Sequence, residues 1–246
     1  MSELKDIVRL AARHGLSLDA ASLHVIDMGL DFRVALARGN DGQDWVLRIP
    51  RRADVLPGAR HEKRVLDFVR PRLSVAAPDW RGCSDQLIAY PRLPGRVGLS
   101  YDPATQQADW AVDRDSSTFI ASFARFMAQL HGLPKADAAR AGLPTPDMVD
   151  VRSRLEADMA DIRATLGVAQ RLWSRWQEWL DDHAAWPTHV TFNHGDLYPA
   201  HVLIDDTQTV LGVIDWTEAG FGEPGSDLVH HLMAFGPDRF AAMVAA

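Results

Sequence analysis

The residues best suited to chemistry lie in one short stretch, residues 192–205, which reads FNHGDLYPAHVLID. It contains His194, Asp196 and His201, and the next apolar run ends on a further carboxylate, Asp215, in the sequence VIDW. We expect a tight loop to present the first three side chains and a hairpin to return Asp215 beside them. Carboxylates and imidazoles that converge at strand ends are costly to hold together unless a cation or a substrate compensates them. The pattern therefore predicts a divalent metal ion and acid–base chemistry.

Phosphoryl transfer uses these residue types directly, because it requires metal ions, a carboxylate that orients the attacking hydroxyl and a cation on the phosphates. Asp196 suits the carboxylate role, since it follows Gly195 in a loop. His201 and Asp215 suit the metal role, although Mg²⁺ favours oxygen ligands over an imidazole. We expect His194 to support the loop through backbone hydrogen bonds. A metal-dependent hydrolase that uses all four ionisable side chains directly is the alternative, and it predicts tight transition-metal binding without a nucleotide.

The first ninety residues have a pattern that predicts mixed strands and helices. Short apolar runs typical of strands occupy residues 23–28, 33–38, 45–49 and 87–90. Asn40-Asp41-Gly42 is a strong hairpin signal between the second and third runs. Helical spacing of apolar residues occurs at the N-terminus, in residues 4–11, and again from Ala59 to Leu73. The sequence PRLPG at 91–95 breaks regular structure.

The remaining residues predict mostly helices. Ser116 or Ser117 could cap a helix with core-facing phenylalanines, and apolar periodicity continues through residues 151–166 and 172–180. The last of these segments carries a tryptophan stripe, which we interpret as core rather than as a ligand platform. After Pro187 the pattern changes to three short strands, at residues 188–192, 201–205 and 210–215.

Composition excludes several classes of partner. The formal net charge is -7, so the surface lacks the basic character that general nucleic-acid binding needs. No stretch approaches the roughly 20 apolar residues that span a bilayer, and none resembles a signal peptide. Cys83 is the single cysteine, which excludes an intrachain disulfide and suits a reducing compartment. We expect a cytoplasmic monomer with no nucleic-acid or membrane partner.

The loop HGDLYPAH followed by IDW resembles the catalytic core of the aminoglycoside and macrolide phosphotransferases, which share the protein-kinase fold. In that family the loop reads H-G-D-x-x-x-x-N and is followed by a metal-binding aspartate. The resemblance implies that Asp196 is the catalytic carboxylate and that Asp215 binds metal. His201 stands where aminoglycoside enzymes carry asparagine, and this departure is similar to the macrolide 2'-phosphotransferase branch. Asp227, in the following segment, corresponds to a buried organiser of the catalytic loop.

The resemblance also covers the N-terminal half. The nucleotide-site residues that it implies are Arg48, Glu62, Asp31, Phe32, Tyr90 and Leu93. Arg48, in WVLRIPR, stands where most kinases place a phosphate-gripping lysine, and Glu62 looks like its ion-pair partner. Asp31 and Phe32 lie in GLDFR, which resembles the loop that replaces a kinase glycine-rich loop. The segment YPRL, from Tyr90 to Leu93, resembles the hinge whose backbone pairs with the purine.

The fold that the resemblance implies is α+β and protein-kinase-like. Its bilobal form has a small antiparallel-sheet N-lobe with a leading helix at 1–90, a hinge at 91–95 and a helical C-lobe at 96–246. Members of the family usually extend further, so we expect a C-terminally truncated chain with an incomplete acceptor site.

The function that the resemblance implies is phosphorylation of the 2'-hydroxyl of a macrolide, which confers antibiotic resistance. GTP, or ATP, would be the phosphate donor, and Mg²⁺ would be held by His201 and Asp215. An aminoglycoside or metabolite kinase of the same fold is the close alternative, and an inactive nucleotide-binding module is a further one. An aminoglycoside is a polycation and demands an acidic pocket, whereas helices rich in Phe, Met and Trp favour a macrolide.

Overall fold

The computed structural model describes residues 2–27, 29–102 and 104–246 of the chain. The helices over these residues are α1 (Ser2–Arg13), α2 (Leu56–Val69), α3 (Ser117–His131), α4 (Lys135–Arg140), α5 (Met148–Thr165), α6 (Gln170–Asp181), α7 (Gly225–Phe235) and α8 (Pro237–Ala245). The strands are β1 (His24–Ile26), β2 (Phe32–Arg38), β3 (Asp44–Pro50), β4 (Gly82–Cys83), β5 (Ile88–Pro91), β6 (Arg96–Val97), β7 (Leu99–Asp102), β8 (Gln107–Trp110), β9 (Thr191–Asn193), β10 (Val202–Ile204), β11 (Val210–Val213) and β12 (Gly220–Gly222).

The chain divides into two compact units. The first comprises Met1–Phe119 with Pro199–Thr217, and the second comprises Ile120–Tyr198 with Glu218–Ala246. Residues 96–119 and 199–217 therefore group with the N-terminal residues, whereas the sequence predicts one C-terminal lobe from residue 96. Strand pairing provides a link, because Ala76 bridges to Gly212 of β11, and β10 pairs with β11 on one side and β6 on the other within a single sheet.

A five-stranded antiparallel sheet with the order β1-β2-β3-β5-β4 dominates the first unit. The predicted hairpin joins β2 to β3, with Arg38 opposite Asp44. Gly42 in its turn has φ +85°, a conformation that glycine adopts without steric cost. The four predicted strands of this half are confirmed within a residue or two, although Met28, at the end of the first run, lies outside the described residues.

Helix α1 covers one face of this sheet. Ile7 and Ala11 from the helix are buried against a set of small or aliphatic strand residues, namely Ala35, Ala37, Leu47 and Ala89. The alanines leave room for the helix to approach the sheet closely. Side chains alternate along a strand, so Arg48 is directed to the opposite face from Leu47, where it meets α2.

A three-stranded sheet with the order β11-β10-β6 completes the first unit, together with the β7–β8 hairpin. An isolated parallel bridge between Ala76 and Gly212 ties β11 to the segment after α2. The expectation of mostly helical structure after residue 95 was wrong for β6, β7 and β8. These strands are two to four residues long, and such short elements carry too little periodicity to be recognised from sequence.

The second unit is mainly helical, with the two-stranded sheet β12-β9, in which β9 comes directly before the loop that carries Asp196. The predicted phenylalanine helix is α3, in which Phe123, Phe126 and Leu130 are buried. The tryptophan stripe is α6, and its interpretation as core was wrong for Leu172 and Trp179, which are more than two-fifths exposed. Leu180 is the one buried residue of that stripe in the described part of the chain, and Trp173 and Trp176 contact each other edge to face.

Within the described residues, the helices are too short or too polar for any of them to cross a membrane.

Candidate active site

The loop that carries Asp196 leaves a strand whose end is tied down by side chains. Phe192 in β9 is fully buried and packs edge-on against Phe221 of β12, with ring centroids 5.3 Å apart. Asn193, the last residue of β9, donates through Nδ2 to the Glu223 carbonyl at 2.8 Å and to Ser226 Oγ at 3.1 Å. The start of the loop is thus anchored to the segment that leads into α7.

Asp227 holds the backbone of the loop from the first turn of α7. Its carboxylate is completely buried and accepts the backbone N–H of His194 at 2.9 Å and that of Gly195 at 2.8 Å. His131, at the end of α3, places Nε2 3.2 Å from the same carboxylate. A buried carboxylate is stable only when its oxygens are hydrogen-bonded, and these three groups supply the bonds.

Gly195 allows the loop to turn directly before Asp196. Its φ is +84°, and a Cβ atom at this position would lie 2.6 Å from the Glu218 carbonyl oxygen. Both the backbone conformation and the close approach therefore require glycine. The turn leaves the Asp196 side chain 41% exposed although His194 and Leu197 are buried, so a substrate could reach the carboxylate.

His194 is completely buried, and its Nδ1 accepts the backbone N–H of Asp196 at 3.3 Å. An acceptor role for Nδ1 assigns the ring proton to Nε2. This geometry is that of a side chain that shapes the loop, and it does not expose the imidazole to a substrate.

His201 and Asp215 come together in the first unit. His201 Nε2 lies 3.6 Å from Asp215 Oδ2, and the Asp215 side chain is 46% exposed. The backbone N–H of Ile214 donates to the His201 carbonyl at 3.0 Å, so the approach is set by main-chain pairing. Asp215 has φ +63°, and the buried Trp216 beside it donates its indole N–H to the Val213 carbonyl at 2.9 Å. Left-handed backbone at a non-glycine residue is held by such surroundings and is typical of functional positions.

Arg48 and Glu62 form a buried ion pair in the same unit. Arg48 Nη1 donates to both Glu62 oxygens, at 2.7 and 2.8 Å, and Glu62 is completely buried. Burial is the largest single influence on the guanidinium and disfavours its charge, but the charge and hydrogen bond of Glu62, together with Tyr90 and Asp215, outweigh it, so the pKa of Arg48 is raised. Because Nη1 makes both bonds, the Nε–H and Nη2–H groups are not used by Glu62.

Thr217 links this ion pair to Asp215. Its hydroxyl lies 3.1 Å from Glu62 Oε2 and 3.0 Å from Asp215 Oδ1, and its single proton serves one of them at a time. No motif in the sequence selected Thr217. Its position two residues after Asp215 was nevertheless a usable signal, because a hydroxyl at that spacing can form a hydrogen bond with the preceding carboxylate.

The other predicted nucleotide-site residues have different environments. Asp31 accepts a hydrogen bond from Arg52 Nη2 at 2.6 Å. Phe32 is buried with its ring 4.3 Å from the Arg48 guanidinium, and this cation–π contact gives it a part in holding Arg48. Burial raises the pKa of the Tyr90 hydroxyl to about 12, so the phenol is neutral at physiological pH.

Leu93 follows β5 and lies outside regular structure. Its Cδ1 would lie 3.3 Å from a Cβ atom at Gly212, so the side chain packs beside β11. The segment from Tyr90 to Leu93 thus passes from β5 into irregular backbone.

Sequence reasoning missed two histidines that lie close to the carboxylates of Asp227 and Asp196 in the structure. His131 reaches Asp227, and His230 of α7 places Nε2 3.9 Å from Asp196 Oδ1. No local signal identified His131, since 96 residues separate it from Asp227. Among the described residues, no group of three or more His, Cys, Asp and Glu side chains is arranged to hold a metal ion.

Known proteins with similar sequences or structures place this chain in a family. The model of the APH phosphotransferase enzyme family matches residues 22–246. The structure of macrolide 2'-phosphotransferase MphH from Brachybacterium faecium has a TM-score of 0.89 and 42% identity, covering 100% of this chain and 82% of that one. Macrolide 2'-phosphotransferase type I has a TM-score of 0.92 and 40% identity, over 100% of this chain and 81% of that one. The uncharacterized protein YcbJ of Bacillus subtilis (strain 168) is 37% identical over 98% of this chain and 79% of its own length.

These similarities confirm the α+β, protein-kinase-like fold that the sequence predicted. They also confirm the resemblance drawn from the HGD and IDW motifs, because the family match spans both. The chain belongs to the phosphotransferase enzyme family.

Proposed function

We propose that this protein is a nucleotide-dependent macrolide 2'-phosphotransferase with Asp196 as its catalytic carboxylate. The observation that carries the proposal is that the Asp196 side chain is exposed in a loop whose backbone is held in place. Its side chain is accessible, while the loop beneath it is held by the fully buried Asp227. A general base must be fixed and reachable at once, because phosphoryl transfer depends on positioning more than on covalent chemistry.

Asp196 would accept a hydrogen bond from the acceptor hydroxyl. As the oxygen attacks the terminal phosphorus of the nucleotide, a new O–P bond forms and the bond to the leaving diphosphate breaks. The hydroxyl proton passes to the Asp196 carboxylate and then to solvent. The products are the phosphorylated acceptor and the nucleoside diphosphate.

Arg48 is the cation for the phosphates. Its pairing with Glu62 fixes the guanidinium while leaving Nε–H and Nη2–H unused by that carboxylate, and these can bind phosphate oxygens. Tyr90 to Leu93 would hold the purine, and Asp31 with Phe32 would border the phosphates. GTP is the donor that we propose, with ATP as the alternative.

His201 and Asp215 would hold Mg²⁺. A carboxylate oxygen and an imidazole nitrogen 3.6 Å apart, with the carboxylate half-exposed, fit a divalent cation, and Thr217 bonds the second Asp215 oxygen. When bound, the metal would neutralise charge on the phosphates.

The macrolide acceptor is supported by two observations. The chain is 40–42% identical over its whole length to two macrolide 2'-phosphotransferases. In addition, α7, which carries Asp227, exposes Val229, Leu232 and Met233, the last of them 79% exposed. Exposed aliphatic groups close to a catalytic loop suit an apolar macrocycle better than a polycation.

The test is transfer of radiolabelled terminal phosphate from GTP or ATP to erythromycin-type and kanamycin-type acceptors. We expect transfer to the macrolide, its loss in Asp196→Ala with nucleotide binding retained, and wild-type transfer in the control Asp158→Ala, which removes an exposed carboxylate on α5. Transfer by Asp196→Ala would refute the catalytic assignment, and transfer only to kanamycin would refute the acceptor. Thermal stabilisation by zinc without any effect of a nucleotide would favour a hydrolase instead.

A further inference from the structure

A histidine outside every motif lies beside the catalytic carboxylate. His230 of α7 places Nε2 3.9 Å from Asp196 Oδ1, and the two side chains are 33% and 41% exposed. The Tyr198 ring, two residues after Asp196, lies 6.3 Å from the His230 ring. Partial exposure of both groups means that a substrate could touch each of them.

The placement of His230 is set by the same helix that holds the loop. Asp227 and His230 are three residues apart on α7, so their side chains lie on adjacent parts of one helix face. Asp227 binds the backbone of His194 and Gly195 directly before Asp196. A buried, charge-assisted contact therefore holds the backbone just before Asp196 to the helix that carries His230.

The distance between His230 Nε2 and Asp196 Oδ1 allows an oxygen atom of a substrate to bind between them. At 3.9 Å the two groups are too far apart for a direct hydrogen bond. An oxygen can nevertheless lie about 2.8 Å from both of them, the usual hydrogen-bond length, because twice that length exceeds their separation. A hydroxyl at this point would donate its proton to Asp196 and accept a hydrogen bond from the Nε2–H of His230.

We propose that His230 is a second catalytic residue, which binds and orients the acceptor hydroxyl together with Asp196. The inference rests on the proposed phosphotransferase function, but it requires only a hydroxyl acceptor and no particular scaffold. The hydroxyl proton goes to Asp196, and His230 keeps its own proton throughout. A second lone pair of the hydroxyl oxygen remains for attack on phosphorus. His230 thus removes a rotational freedom that a single hydrogen bond to Asp196 would leave.

Three variants of the full chain test this role. His230→Phe keeps an aromatic ring and removes the N–H donor, whereas His230→Gln keeps an N–H donor at a similar reach. His189→Gln is the matched control, because His189 is an exposed histidine of the same unit. We expect kcat/KM for the acceptor to fall roughly tenfold to hundredfold in His230→Phe and to recover largely in His230→Gln, as for loss and return of one hydrogen bond in a charged site. GTP affinity and the melting temperature should be unchanged in all three.

Wild-type transfer by His230→Phe would overturn the inference, and so would a parallel loss of GTP binding and stability, which marks a structural role. If the wild-type protein phosphorylates no macrolide, the proposed acceptor is wrong, and GTP hydrolysis then tests His230 with water as the hydroxyl. A slower hydrolysis in His230→Phe supports the inference, and an unchanged rate refutes it. NMR of the imidazole C–H groups needs no activity at all: Asp196→Asn should move the His230 signals and not those of His189, and unmoved His230 signals would refute the contact.

Discussion

His231 makes the stability of this protein depend on pH in a predictable direction. The side chain is 2% exposed and lies among three phenylalanine rings, with centroids 5.2 Å away for Phe123, 4.4 Å for Phe235 and 6.5 Å for Phe240. Burial lowers the pKa of the imidazole from 6.5 to about 4, and a backbone group of Arg239 offsets only part of this effect. The folded protein therefore holds His231 neutral at pH values where the unfolded chain protonates it.

The sign of the effect follows from proton linkage. Between pH 6.5 and about 4 the unfolded chain binds a proton that the folded chain does not, so the free energy of unfolding falls as the pH is lowered through this window. Above pH 7 both states are neutral at this residue and the contribution is constant. At about 1.4 kcal/mol per pH unit, the difference between the two pKa values corresponds to a loss of about 3 kcal/mol when the window has been crossed.

The perturbation is His231→Leu, which fills the apolar site with a group that does not titrate. We expect this variant to keep up to about 3 kcal/mol that the wild-type protein loses between pH 7.5 and pH 4.5. Urea unfolding monitored by tryptophan fluorescence at several pH values gives both curves, and carboxylates that titrate in the same range cancel in their difference. His189→Leu, at an exposed position, should follow the wild-type curve. If His231→Leu and the wild-type protein lose stability in parallel, the burial argument is refuted.

Three further predictions concern substitutions at Asp227, at the pair Arg48–Glu62 and at Gly195. Asp227→Asn removes a charged acceptor from two backbone N–H groups, so we expect the free energy of unfolding in urea to fall by about 2 kcal/mol. We also expect kcat to fall at unchanged nucleotide affinity, and an unaltered kcat would contradict the role of Asp227. Glu62→Gln leaves Arg48 buried with a weakened partner and should lower the free energy of unfolding by about 3 kcal/mol, whereas the double variant Arg48→Met, Glu62→Leu should regain most of that stability. The double variant should not bind GTP in calorimetry, and nucleotide binding by it would exclude Arg48 as the phosphate cation. Gly195→Ala should lower the free energy of unfolding by about 2 kcal/mol or more and abolish transfer, because its Cβ would lie 2.6 Å from a backbone oxygen. Gly142→Ala, at φ +75° with open space around it, should lower it by about 1 kcal/mol, and equal losses in thermal unfolding would refute the steric argument.

The elements that could be predicted are those with strong local patterns. Asn40-Asp41-Gly42 between two apolar runs specified the β2–β3 hairpin, and the spacing of phenylalanines specified α3. The tryptophans of α6 show the limit of this reasoning. Periodicity reports which residues share a helix face, but only packing decides whether that face is covered, and Trp179 remains 43% exposed.

The loop that carries Asp196 also has features that could be predicted from the sequence and features that could not. A short motif selected Asp196 from the sequence, together with His201 and Asp215, because their chemistry is encoded in residue type and spacing along a few residues. Their roles remain predictions that the experiments above test. The resemblance also selected Asp227, although 33 residues separate it from His194. His131 could not be selected, because it lies 96 residues from Asp227 in the chain and belongs to no motif.

The sequence by itself determined the family and the main strands and helices, and it proposed Asp196 as the catalytic carboxylate, because each of these depends on patterns among near neighbours in the chain. Only the tertiary structure decided that Thr217 bridges Glu62 and Asp215, that His131 supports Asp227, and that His230 lies beside Asp196. Contacts between residues far apart in sequence are set by how helices and strands pack, and neither periodicity nor a motif of a few residues contains that information.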